Sequence, residues 1–115
     1  MYKIRKRMEV SGAHRLELPY DSPCKRLHGH NWIVEVEVQG DCLNAEGMLL
    51  DFTIIKKIVN QLDHDDLNAV LPFNPTAENI ARWVCEEIQK EITTDMFVSE
   101  VMIQESEGNT AWYTP

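Results

Sequence analysis

The chain has 115 residues, with 11 Lys and Arg against 19 Asp and Glu and a formal charge of -8. That length forms one domain over residues 1–115 with a real core, and the acidic balance argues against nonspecific binding to nucleic acid or to an anionic membrane surface. No apolar run approaches the roughly 20 residues that span a bilayer, and the first seven residues lack the apolar stretch of a signal peptide, so a cytoplasmic location is expected.

From Tyr2 to Val10, the apolar Tyr2, Ile4, Met8 and Val10 alternate with Lys3, Arg5, Arg7 and Glu9, which is the period of a half-buried strand. Ser11 to Leu27 contains Gly12, Pro19, Asp21, Ser22 and Pro23 and reads as a long irregular connection that carries His14. Connections of that length in a small domain tend to be functional. A second strand covers Asn31 to Gln39, with Trp32, Val34, Val36 and Val38 on one face. His28 and His30 share the parity of that face, so a strand reaching back to them turns both imidazoles toward the interior.

Asp51 suits the N-cap of a helix from Phe52 to about Leu62, with Phe52, Ile55, Ile58, Val59 and Leu62 on its apolar side. Thr76 suits the cap of a second helix whose buried stripe is Ile80, Trp83, Val84, Ile88 and Ile92. Strands over Phe97 to Glu105 and Thr110 to Tyr113 follow, joined by the turn Glu107-Gly108-Asn109. The order ββααββ predicts an α+β fold, a four-stranded antiparallel sheet with two helices on one face. Apolar residues off the helix-facing register, such as Ile33 and Met102, and uncovered sheet edges predict an oligomer.

The chemistry concentrates in Cys24-Lys25-Arg26-Leu27-His28-Gly29-His30. Two imidazoles at i and i+2 of an extended chain reach one ion together, and zinc is the first expectation. Three neutral imidazoles with a fourth position open make a catalytic zinc site, and His14, His28 and His30 supply three. Against this stands the reading that one or more of them is a satisfied core or surface histidine. Cys24 either closes the site as a thiolate ligand or stands free as a proton acceptor; spacing does not decide. Cys85 falls in a helical apolar pattern and Cys42 in a polar loop, and three cysteines form no disulfide framework. His64 lies in Asp63-His64-Asp65, where Asp63 either orients the imidazole as an acid/base group or is an ordinary surface carboxylate. Glu105 shares the parity of Val101 and Ile103, so it either aims inward at a donor pair or curls into solvent. Arg15, Lys25 and Arg26 lie close in sequence to the histidines, cations suited to a small anion or ordinary solvated charges.

With these motifs the chain resembles the 6-pyruvoyl-tetrahydropterin synthase family, most closely its bacterial 6-carboxytetrahydropterin synthase branch. The resemblance rests on Ala13-His14-Arg15-Leu16, Cys24 through Asn31, Gly47-Met48 with Leu50-Asp51-Phe52, and Leu62-Asp63-His64 with Leu67-Asn68. It continues through Asn74 to Asn79 and Glu105 with Ala111 and Tyr113. Three residues between Cys24 and the His-Gly-His pair favour the carboxy-product branch; Gly12 and Ser106 are conservative departures from the family pattern. The resemblance implies a zinc-dependent carbon–carbon lyase of queuosine biosynthesis, acting on 7,8-dihydroneopterin triphosphate and releasing acetaldehyde and triphosphate. It implies His14, His28 and His30 on the zinc, Cys24 as proton acceptor, His64 oriented by Asp63 as proton shuttle, and Glu105 with Thr76 on the pterin ring. It also implies the tunnelling fold, in which sheets join into a barrel and two trimers stack as a homohexamer. The alternatives are a pyruvoyl-product enzyme and a noncatalytic zinc module closed by Cys24.

Overall fold

The computed structural model describes residues 1–115. In chain order its elements are β1 (Tyr2–His14), β2 (His28–Gly40), α1 (Phe52–Val59), β3 (Asp65–Asp66), α2 (Leu67–Val70), α3 (Ala77–Gln89), β4 (Met96–Ser106) and β5 (Asn109–Tyr113). They build one sheet in the order β3-β1-β2-β4-β5. Alternation along each strand decides what is buried. Val10 and His14 of β1, Trp32, Val34, Val36 and Val38 of β2, and Val98, Val101 and Ile103 of β4 are buried. Against them pack Ile55, Ile58 and Val59 of α1 and Ile80, Ala81, Val84, Cys85 and Ile88 of α3. A fully enclosed side chain such as Ile55 or Ile88 contributes roughly 1.5–3 kcal/mol. Trp83 and Ile92 sit half-buried at the margin of this core. Both long helices start as their sequences ask: the Asp51 carboxylate accepts the Thr53 N–H at 2.9 Å, and the Thr76 hydroxyl accepts the Asn79 N–H at 3.1 Å.

The sheet departs from the expected four antiparallel strands. It has five strands and is mixed, because β3 adds a two-residue parallel pairing, Asp65 and Asp66 against Gly12 and Ala13 of β1. Two acidic residues with no apolar alternation carry no strand signal, so only tertiary contact creates it. A third helix, α2, also lies outside the expectation; its cap is Asp66, whose carboxylate accepts the Asn68 N–H at 3.0 Å. The first helix ends its α-helical run at Val59, and Asn60–Leu62 continue as a tighter turn; Phe52, expected on its apolar side, is exposed in the first turn, with Lys6 over its ring. β1 does not stop at Val10 but runs to His14, which pairs with His28. His14 is therefore a strand residue and not a loop residue. At Gly12 the strand runs close beneath the helices: a Cβ there would lie 3.4 Å from the Leu62 carbonyl and the Leu67 methyls.

Two irregularities in β4 set which way its side chains turn. Glu37 stands opposite Glu100 and Val38 opposite Val98, so Ser99 is an extra residue. Val98 and Val101, three apart, consequently both face the helices. A second shift leaves Glu105 extra between the pairs Gln104–Thr110 and Ser106–Asn109. On the other sheet face, Arg5 donates to Glu37 at 2.7 Å and Arg7 to Glu35 at 2.8 Å. Ser99 Oγ also donates to Glu37, at 2.9 Å.

Candidate functional site

At one end of the sheet His14, His28 and His30 come together, with ring centroids 4.6 to 5.3 Å apart. The pairing of His14 with His28 across β1 and β2 makes the first contact, and the i, i+2 spacing adds His30 on the same face. Backbone carbonyls fix two of the rings. His14 Nδ1–H donates to the Pro75 carbonyl at 2.8 Å, and His28 Nδ1–H donates to the Arg26 carbonyl at 2.7 Å. A carbonyl only accepts, so the proton is on Nδ1 and Nε2 presents its lone pair. Burial, opposed by the Pro75 hydrogen bond and the Glu105 charge, holds His14 below its ordinary value of 6.5. Burial likewise outweighs Glu105 at His30. Both rings are therefore neutral near pH 7, the form that ligates a metal.

Glu105 joins this cluster. Its Oε1 lies 3.2 Å from His30 Nε2, and one ligand atom from each of His14, His28, His30 and Glu105 falls within 4.8 Å of all the others. The inward-pointing side of the two expectations for Glu105 holds. The buried Nε2 atoms of His14 and His30 make no hydrogen bond; at His30 the carboxylate is close but not aligned as an acceptor. Orphaned, converging nitrogen lone pairs beside a carboxylate are what a borderline divalent cation needs, so these residues can hold a metal. Trp32 walls the cluster, its ring 4.8 Å from His14 and 5.3 Å from His30, with its indole N–H donating to the Gly12 carbonyl at 3.1 Å.

Of the other expected site residues, His64 shares a groove with one of these histidines. Cys24 is half-buried in a single tight turn, Pro23–Lys25, and its sulfur is not part of the four-residue cluster. His64 is 82% exposed, with Nδ1 3.1 Å from Asp63 Oδ1; the Asp63 carboxylate also accepts the Ser11 N–H at 2.8 Å. That backbone bond, with the nearby imidazole and against partial burial, holds Asp63 below its ordinary value. His30 and His64 line one open groove of about 500 Å³ with Ser11, Asn31 and Asp65. Glu105 lines another, of about 400 Å³, between Ala77 and Glu78 of α3 and Gly108 to Trp112. Thr76 is the N-cap of α3, the residue before Ala77, and does not itself line that groove. Sequence reasoning assigned no role to the Pro75 carbonyl or to Asn68 and Asn74. The chain itself offered only the polar residues between two helices as a signal.

Comparison with solved structures shows the same architecture. The chain superposes on Caenorhabditis elegans 6-pyruvoyl tetrahydropterin synthase with a TM-score of 0.80 over 99% of this chain and 95% of that one, at 24% identity. The class of protein follows from its sequence relatives: a tetrahydropterin synthase, an enzyme of lyase type. Residues 3–115 match the family model for 6-pyruvoyl tetrahydropterin synthase, and the chain belongs to that family. It is 32% identical to the 6-carboxy-5,6,7,8-tetrahydropterin synthase of Bacillus subtilis, over 81% of this chain and 69% of that protein. It is also 34% identical to the dihydroneopterin monophosphate aldolase of Pyrococcus furiosus, over 90% of this chain and 89% of that protein. No helix is long and apolar enough to cross a membrane.

Proposed function

We propose that this enzyme is a zinc-dependent carbon–carbon lyase that converts 7,8-dihydroneopterin triphosphate to 6-carboxy-5,6,7,8-tetrahydropterin, releasing acetaldehyde and triphosphate, within queuosine biosynthesis. The observation that carries the reading is the convergence of three imidazoles, two of them oriented by backbone carbonyls, beside an inward carboxylate. His14, His28 and His30 would hold the metal. When bound, the metal supplies Lewis-acid polarisation of the side-chain hydroxyls of the substrate.

The protein residues then divide the remaining work. Cys24, near the cluster in sequence and outside it in ligation, accepts the proton that leaves the substrate side chain; a thiol is a base of intermediate strength suited to that transfer. His64 returns and removes protons at the solvent side, with Asp63 at 3.1 Å holding its ring. Glu105, bordering both the imidazoles and the 400 Å³ groove, accepts from the adjacent N–H donors of the pterin ring, and Thr76 is a second contact. The working unit is a cytoplasmic homohexamer built as a dimer of trimers.

Incubation with 7,8-dihydroneopterin triphosphate, followed by mass spectrometry, should reveal the carboxy product and acetaldehyde; the pyruvoyl compound as sole product overturns the assignment. Offering the monophosphate in parallel separates this activity from that named for the Pyrococcus furiosus relative. Cys24→Ala should keep its zinc and lose turnover. Joint loss of metal and fold would instead mean a closed structural site.

A further inference from the structure

Asn68 and Asn74 commit their side chains to backbone that belongs to no strand or helix. Asn68 Oδ1 accepts the Arg15 N–H at 2.8 Å, and Asn68 Nδ2 donates to the Arg15 carbonyl at 2.9 Å. Asn74 treats Glu17 in the same way, at 3.0 and 3.2 Å. Each amide thus copies the paired bonds that a neighbouring strand would make to one residue. Residues 15 and 17 turn toward the two asparagines, and Leu16 between them turns away, as alternation requires. The Leu16 N–H donates to the Cys24 carbonyl at 2.7 Å. At its other end the Cys24 N–H donates to Ser22 Oγ at 3.2 Å.

Cys24 is therefore fixed on both sides, and one of those sides is a chain of bonds that begins at the two asparagines. The same segment reaches the imidazoles. Asn74 precedes Pro75, whose carbonyl holds His14 Nδ1, and the Asn74 carbonyl accepts from Asn79 Nδ2 of α3 at 3.0 Å. The stretch Asn74 to Thr76 thus holds the Glu17 backbone, the His14 ring and the start of α3.

We propose that Asn68 and Asn74 are positioning residues for Cys24, a two-amide clamp that acts through Leu16 to set the thiol against the imidazole cluster. The proposal rests on Cys24 being the proton acceptor described above. Neither asparagine needs to touch substrate for this role. Proton transfer depends steeply on placement, and an error of about 1 Å costs on the order of 100-fold in rate.

The test uses Asn68→Ala and Asn74→Ala, with Asn68→Asp and Asn74→Asp as milder variants that keep the acceptor for the backbone N–H and lose the donor. The clamp is expected to lower kcat by about 10- to 100-fold while KM stays within about twofold and metal per chain is unchanged. Alkylation of Cys24 by iodoacetamide, followed on its own peptide by mass spectrometry, should change in rate and in pH midpoint. A purely architectural role would lower the melting temperature and the active fraction without moving that midpoint or splitting kcat from KM. The aspartate variants decide the matter if the alanine ones do not fold. Folded aspartate variants with wild-type kcat and an unchanged alkylation profile, beside an inactive Cys24→Ala enzyme, overturn the clamp alone. A Cys24→Ala enzyme that still turns over removes the base and the clamp together.

Discussion

His64 sits at a backbone φ of 58°, the one residue other than glycine in the left-handed region. That conformation costs a non-glycine residue about 1–2 kcal/mol, and residues held there against their preference gather at functional sites. Here the hold is visible: the His64 N–H donates to the Ser11 carbonyl at 2.6 Å, while Asp63 takes the Ser11 N–H. His64→Gly should therefore leave stability within about 1 kcal/mol of wild type, relief of strain offsetting glycine's lost freedom. The same change should lower kcat by about 100- to 10,000-fold if the imidazole moves protons. Chemical denaturation and steady-state kinetics on one preparation check both halves; undiminished turnover would remove His64 from the mechanism.

Among the elements, the solvent-side face of β1, β2 and β4 carries a second set of buried polar contacts. Glu37 is only 7% exposed. Burial by itself raises its pKa, but hydrogen bonds from Arg5, Ser99 and Gln39 and the charge of Lys3 outweigh that and hold it below its ordinary 4.5. A carboxyl lowered on folding stabilises the protein above that value, and the contribution disappears as pH falls through the folded one. Glu37→Gln should thus flatten the acid limb of stability below about pH 4.5, measured by denaturant melts across pH. Arg5→Ala should lower stability only modestly in the same melts, since the exposed guanidinium is screened by water.

These elements also mark where sequence legibility ends. His28 and His30 could be aimed because period-two alternation in β2 carries orientation, whereas Glu105, the extra residue of a bulge in β4, stayed open between two directions. His14 could be named but not placed on a strand, since Gly12 and Ala13 interrupt the apolar alternation. Asp65-Asp66 became a strand only through β1, and the extra Ser99 is invisible until its partner strand is present. The asparagine clamp has no periodicity at all, because side-chain bonds to irregular backbone depend on folding to bring residues 15 and 68 together.

As a whole, the protomer is elongated, 52 × 26 × 24 Å with a radius of gyration of 15.1 Å; about 13 Å is usual for a compact domain of this length. The two 13-residue strands cause this. β3 covers only Gly12 and Ala13, so β1 from Tyr2 to Ser11 is an open edge at one side of the sheet, with β5 at the other. Trp112 is 60% exposed and Phe97 44%. Open edges with apolar side chains are covered by further copies or aggregate. Light scattering should give a mass about six times the 13.3 kDa chain, and a monomer at micromolar concentration would contradict the hexamer.

The indole that walls the imidazoles has a practical consequence. Its emission is sensitive to the charge and ligation of rings at van der Waals distance, so the chain contains its own optical reporter. With Trp83 and Trp112 replaced by Phe, the fluorescence of Trp32 alone would time the arrival and departure of an ion, with no label attached.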